Sequence, residues 1–209
     1  EGVEVTEDVL DSIDSEGTNP IPVIYQSGYL TIKGYDSEFK LYTLGYPNQE
    51  VEEGFLKYLL PFYTDMSEAE GPFEIRKFVE EVRKGDVDGF FHRLQSFFAD
   101  APYEVIVGQA PQRNVELFFQ NVLFIVFKMM GFYTQVEYHT NRGRVDLVLK
   151  TDKYIYVMEF KQDASAEEAL AQINDKDYAV SFASDGRELI KIGVNFSSEM
   201  RNIEKWIME

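Results

Sequence analysis

Three ionisable side chains, Asp146, Glu159 and Lys161, lie in two neighbouring runs that otherwise read as apolar strand. Asp146 sits between Val145 and Leu147, and Glu159 and Lys161 flank Phe160 after Tyr156-Val157-Met158. If the intervening turn is centred on Asp152-Lys153, the runs form a hairpin in which Asp146 falls opposite Glu159. Alternation of side chains then puts Lys161 on the same face, while Met158 and Phe160 point away. Directly opposed carboxylates, with Cβ atoms roughly 4.5–5.5 Å apart, repel unless positive charge lies between them. A hard divalent cation meets that need, because Mg²⁺ takes oxygen ligands and is commonly bound through one or two carboxylates plus water and phosphate oxygens. Such an ion lowers the pKa of water and stabilises charge on a scissile phosphate. Lys161 is then placed to orient the attacking water or to neutralise developing charge. The expected chemistry is phosphodiester hydrolysis. The bland alternative is an incidental surface ion pair between residues two apart.

Several elements must hold these residues. Strand patterns cover Thr134–Thr140, Arg144–Lys150 and Tyr154–Lys161, with a fourth at Leu189–Phe196. Asn114–Met130 is apolar nearly all round and ends at Gly131, as expected of a helix buried on most sides against a sheet. A second helix begins with the capping-box spacing of Ser165 and Glu168 and is expected to run to about Val180. A last helix is expected over Glu199–Met208. The order α-β-β-β-α-β implies an α/β (α+β) core with a mixed sheet. Upstream, Tyr29–Lys33 and Phe39–Leu44 read as a hairpin around a Gly34-Tyr35-Asp36-Ser37 turn. Asn48 caps a following helix bearing Val51, Phe55, Tyr58, Leu59 and Phe62 at helical spacing. This suggests a small winged-helix-like unit. Met66–Pro72 reads as a linker, followed by amphipathic helices at Phe73–Lys84 and Val87–Phe98 on either side of Gly85-Asp86.

With 44% apolar and 15% aromatic residues among 209, the chain can build packed cores, and it has no apolar run long enough for a membrane span. It has no cysteine, which excludes disulfides and thiolate metal sites. The first stretch is acidic and lacks the basic and apolar regions of a signal peptide, so a cytoplasmic setting is expected, in a piece of a longer protein. Net charge is −17, with eight basic against 21 acidic residues in 1–100 and twelve against 16 in 101–209. Such acidity opposes tight, autonomous binding to a polyanion.

The runs Gly143-Arg144-Val145-Asp146-Leu147-Val148-Leu149 and Tyr156-Val157-Met158-Glu159-Phe160-Lys161 resemble the PD-(D/E)XK nuclease superfamily, with Val145 in place of its Pro. The resemblance continues through Ala169-Leu170-Ala171-Gln172-Ile173, Tyr178 and Ile192-Gly193-Val194-Asn195-Phe196-Ser197, and back to Glu116. It implies a restriction-endonuclease-like core in which Asp146 and Glu159 bind Mg²⁺ or Mn²⁺ and Lys161 is the catalytic lysine. Glu116 stands where many members carry a further acidic residue, and a solvated residue near a helix start fits it equally. Gln172 stands where members often use a polar residue, and a surface Gln fits it equally. Glu137 reads as structural.

In the N-terminal part, Tyr25-Gln26-Ser27-Gly28-Tyr29-Leu30-Thr31-Ile32 and Gly45-Tyr46-Pro47-Asn48-Gln49-Glu50-Val51 resemble bacterial proteins that join an AAA-ATPase-like domain to such a nuclease domain. The expected division is 1–66 as the winged-helix-like end of the ATPase-like region, 67–111 as a helical linker and 112–209 as the nuclease-like domain. The ATPase core would lie upstream, since no G-x-x-x-x-G-K-[ST] loop is present.

Nucleic acid, DNA before RNA, is the partner this implies, together with the upstream ATPase region and no membrane. Arg142 and Arg144, with Lys150 and Lys153, give the hairpin local positive charge for phosphates, although ordinary solvated side chains read the same way. His92 and His139 have no spacing partner for a metal or nucleophile site. A catalytically silent nuclease-fold interaction or regulatory module is the main alternative, motivated by the acidity. A non-nuclease metal phosphohydrolase is the third reading.

Overall fold

In Tyr154-Ile-Tyr-Val-Met-Glu-Phe-Lys-Gln162 every second side chain is suited to a different face, and this strand forms the centre of the larger sheet. The computed structural model describes residues 2–11, 20–63, 67, 69–99, 111–131, 135–137 and 145–209, with 62, 111–117 and 135–137 described by backbone alone. The chain divides into two compact units, Glu1–Tyr58 and Leu59–Glu209.

In the first unit, strand β1 (Val3–Val5) is followed by helices α1 (Glu7–Asp11) and α2 (Ile21–Gln26), strands β2 (Thr31–Asp36) and β3 (Leu41–Gly45), and the start of helix α3 (Gln49–Tyr63). The sheet is antiparallel in the order β1-β3-β2. Val5, Leu10 and Leu44 form its core, with Val9, Ile21, Tyr25, Leu30 and Tyr42 packed against them. The hairpin turn lies beyond Asp36, later than its expected place at Gly34–Ser37. The Asp36 carboxylate accepts the Glu38 and Phe39 N–H groups, and Lys40 takes the left-handed conformation. Asn48 Oδ1 accepts the Val51 N–H at 2.9 Å, an N-cap for α3.

The second unit runs from the end of α3 through α4 (Gly71–Lys84), α5 (Val87–Ala99), α6 (Pro111–Gly131), β4 (Gln135–Glu137), β5 (Leu147–Lys150), β6 (Tyr154–Gln162), α7 (Ala166–Asp175), β7 (Glu188–Ser197) and β8 (Asn202–Met208). The sheet order is β4-β5-β6-β7-β8. All pairs are antiparallel except β6 with β7, which α7 joins by a parallel crossover, so the sheet is mixed.

Each sheet face has its own cover. Tyr156, Met158 and Phe160 alternate onto the face lined by helical aromatics. Phe160 packs on Phe127 of α6 and on Phe196, and the Tyr156 hydroxyl donates to the Val82 carbonyl of α4 at 2.6 Å. Behind them lies a cluster of rings that includes Phe78, Phe90, Phe97, Phe98, Phe118 and Phe119. Left-handed Gly85 closes α4 and lets α5 turn back on it, and Arg93 bridges the two helices to Glu81 and Glu74. On the opposite face Val145, Val148, Ile155 and Val157 pack with Ile173 and Tyr178, flanked by Leu170. Ala166, Ala169 and Ile173 give α7 its buried stripe.

Two expectations about this second unit need correction. The segment assigned to a last helix, Glu199–Met208, instead contains strand β8. The largely buried strand β7 needs a partner on its outer edge, and a turn with Arg201 left-handed and the Met200 N–H bonded to Ser197 Oγ folds the chain back to supply one. Tertiary pairing overrides the local helical spacing. Helix α7 stops at Asp175, short of Val180, because left-handed Asp177 turns Tyr178 back into the core, where its N–H bonds the Ile173 carbonyl. Among the described residues, no helix is long and apolar enough to cross a membrane.

Gly193 sets the closeness of α7 to the sheet. A Cβ there would run into the Ala166 carbonyl and would come within 2.5 Å of the Leu170 nitrogen. Gly193→Ala is expected to destabilise the chain by about 1–3 kcal/mol through overpacking, read from denaturant unfolding. A midpoint equal to wild type would show that the helix is not seated on this backbone.

Candidate active site

The β5–β6 ladder pairs Leu147 with Met158 and Val148 with Val157. This is the register read from the sequence, and one step further it sets Asp146 opposite Glu159. The turn between the strands is held by Thr151, whose N–H donates to the Tyr154 carbonyl and whose Oγ1 accepts the Tyr154 N–H, each at 2.9 Å. Asp146 stands just before β5, and its Oδ2 accepts the Phe160 N–H at 2.8 Å. That bond fixes one carboxylate against the backbone between Glu159 and Lys161.

Glu159 is 2% exposed. Its Oε1 accepts from Gln172 Nε2 on α7, and Lys161 Nζ lies 3.7 Å from the same oxygen. Lys161 Nζ also donates to Gln172 Oε1. Gln172 therefore bridges carboxylate and ammonium, and it can do so because Gly193, the partner of Glu159 in the β6–β7 register, lets α7 approach closely. The other oxygen, Glu159 Oε2, is buried and has no hydrogen-bond partner among the described residues. Leaving a buried carboxylate oxygen unpaired is costly. Burial, reinforced by the negative charge of Asp146 and only partly offset by Lys161, raises the Glu159 pKa from its ordinary 4.5 to about 7.

This donor set fits a hard divalent cation. An orphaned carboxylate oxygen and a second carboxylate close enough to disfavour its ionisation are both relieved by positive charge between them. Among the described residues, no group of three or more His, Asp or Glu side chains gathers around one point.

The other residues singled out in the sequence are placed unevenly. Glu116 lies on α6 and Glu137 on β4 opposite Val148, both described by backbone alone. Arg142, Arg144 and His139 lie outside the described residues. Lys150 sits with its ammonium 5.1 Å from the Phe182 ring centre, and Lys153 is exposed in the hairpin turn. His92 is exposed on α5, bonded through Nδ1 to the Asp88 carbonyl and packed edge-on against Trp206. Sequence reasoning gave no role to Gly193 or Asn195. Their signal was a glycine and an amide inside the apolar run Ile192–Phe196.

The raised pKa has a definite sign in stability. The metal-free folded chain binds the Glu159 proton more tightly than the unfolded chain does, so this contribution is complete below about pH 4.5 and is lost as pH rises through about 7. Without divalent ions, the Tm of wild type is expected to fall relative to Glu159→Gln between about pH 5 and about pH 8, and millimolar Mn²⁺ should reduce that fall. Parallel Tm curves for the two proteins would contradict the assignment.

Residues 114–206 match the family model for the PD-(D/E)XK nuclease superfamily, a span that contains Asp146, Glu159, Lys161 and Gln172. Over 213 aligned residues the chain is 26% identical to an uncharacterized protein in the vnfD 5′ region of Azotobacter chroococcum mcd 1. The alignment covers 100% of this chain and 41% of that protein, so the chain spans about two fifths of its relative's length. No solved structure matches the chain. The mixed α/β sheet of the second unit is consistent with a PD-(D/E)XK fold over the matched residues 114–206.

Proposed function

We propose that residues 112–209 form a metal-dependent nuclease domain that hydrolyses nucleic-acid phosphodiester bonds, with DNA the favoured polymer. The observation that carries this reading is the buried, unpartnered Oε2 of Glu159 beside a second carboxylate, within a span matching a nuclease superfamily. Asp146 and Glu159 would hold Mg²⁺ or Mn²⁺, and Glu116 is the candidate for a further acidic group. The bound ion would supply an electrophile for the scissile phosphate and acidify a water molecule.

The chain's own side chains do the rest. Lys161, fixed by Gln172, presents an ammonium to the charge that develops on the phosphate. Gln172 at the same time holds one oxygen of Glu159, leaving the other for the cation. Arg142 and Arg144 are proposed to contact the phosphate backbone near the hairpin.

In this reading the active chain is part of a larger ATPase–nuclease protein. Residues 1–66 are its winged-helix-like end of an AAA-ATPase-like region, and 67–111 a helical linker. The 41% coverage of the Azotobacter relative is compatible with a longer parent. The acidity favours one alternative, a catalytically silent interaction or regulatory module. Helix α3 begins with Glu50, Glu52 and Glu53 and carries a single basic residue, Lys57, which is paired to Glu53. That surface suits a protein contact better than a polyanion.

Incubation with single- and double-stranded DNA and RNA in Mg²⁺, Mn²⁺ or EDTA separates the two. Cation-dependent cleavage is expected, reduced by about 100-fold or more in both Asp146→Ala and Lys161→Ala. Cleavage that is absent, or equal in wild type and variants, would favour the silent module.

A further inference from the structure

The connection between Lys161 and α7 is fastened to the sheet by a buried amide. We propose that Asn195 is a positioning residue for Lys161 and Gln172, locked in its working orientation by Glu204. This inference rests on the nuclease reading of the site.

Asn195 lies on β7 in register with Lys161 and is 2% exposed. A buried amide in an apolar strand is tolerated only when both of its ends are bonded. Here Oδ1 accepts the Ala164 N–H at 3.1 Å, and Nδ2 donates to Glu204 Oε2 at 2.7 Å. Glu204 is the extra residue where the β7–β8 register passes from Asn195–Lys205 to Phe196–Ile203. Such a bulge turns a side chain out of the regular alternation, and here it aims a carboxylate at Asn195. An ionised carboxylate only accepts, so it selects the amide orientation that leaves Oδ1 facing Ala164.

Ala164 directly precedes Ser165, whose Oγ accepts the Glu168 N–H as the N-cap of α7. Two further bonds fasten the same connection. The N–H of left-handed Asp163 donates to the Phe196 carbonyl at 2.8 Å, and Asp163 Oδ1 accepts the Ser198 N–H at 2.7 Å. The Asn195 bond is the one that reaches the start of the helix. Moving that start moves Gln172, which holds both Lys161 Nζ and Glu159 Oε1. A displacement of about 1 Å at a reacting group commonly costs on the order of 100-fold in rate. Asp146 and Glu159 sit on the β5–β6 hairpin, so the cation site itself depends less on this fastening.

The test uses the whole chain and three variants. Asn195→Asp sets two carboxylates against each other. Asn195→Asp/Glu204→Gln exchanges donor and acceptor, so that the new amide donates to the new carboxylate while its other oxygen still accepts from Ala164. Glu204→Ala, at an exposed position, removes only the lock and guards against a misfolded single variant.

The Gln172 side-chain amide signal in ¹⁵N NMR should move toward a free amide in Asn195→Asp, partly so in Glu204→Ala, and return in the double variant. On a cleaved substrate kcat should fall about 10- to 100-fold in Asn195→Asp, with KM and Mn²⁺ affinity within about twofold of wild type, and recover in the exchange. The proposal is overturned if Asn195→Asp and Glu204→Ala leave the Gln172 signal unchanged, or if the double variant stays as impaired as the single. If wild type cleaves nothing, the nuclease reading fails, and the Gln172 signal alone decides the positioning claim.

Discussion

A carboxylate buried with one oxygen unpaired is the constraint on which the second unit turns. Glu159 is held on the central strand by packing around it, and its remaining bonds go to Gln172 and Lys161 on the same face. In water such a group would ionise freely. Here burial and Asp146 work against its charge, and Lys161 does not fully compensate. In the proposed reading, a cation between the two carboxylates would resolve the conflict and give the arrangement a use.

The surrounding fold can be understood as the means of enforcing that geometry. The aromatic face fixes β6 from one side through Tyr156 and Phe160. From the other side α7 is seated on Gly193, close enough for Gln172 to reach two partners. The strand pairing of β5 with β6 then presents Asp146 to the same face, and a backbone N–H at Phe160 holds it there. Each of these contacts comes from a different element, so the site requires the assembled sheet and its helical covers.

Much of this was legible in the sequence because it rests on local rules. Two-residue alternation and one turn centre were enough to bring Asp146 opposite Glu159, and the Ser165–Glu168 spacing marked the start of α7. The rest depended on distant pairing. Nothing local distinguishes Asn202–Met208 as a strand until the free edge of β7 is known. The bulge at Glu204 and its bond to Asn195 follow from that pairing. The same holds for Gly193, whose lack of a side chain gains meaning only when a helix backbone lies over it.

The most direct measurement is calorimetric Mn²⁺ binding near pH 7, repeated in buffers of different ionisation enthalpy. If a cation takes the place of the proton that Glu159 holds when burial and Asp146 raise its pKa to about 7, binding should release on the order of half a proton. The heat should then depend on the buffer, with the dependence fading at higher pH and absent in Glu159→Gln. Binding without proton release, or with the same release in Glu159→Gln, would contradict the account.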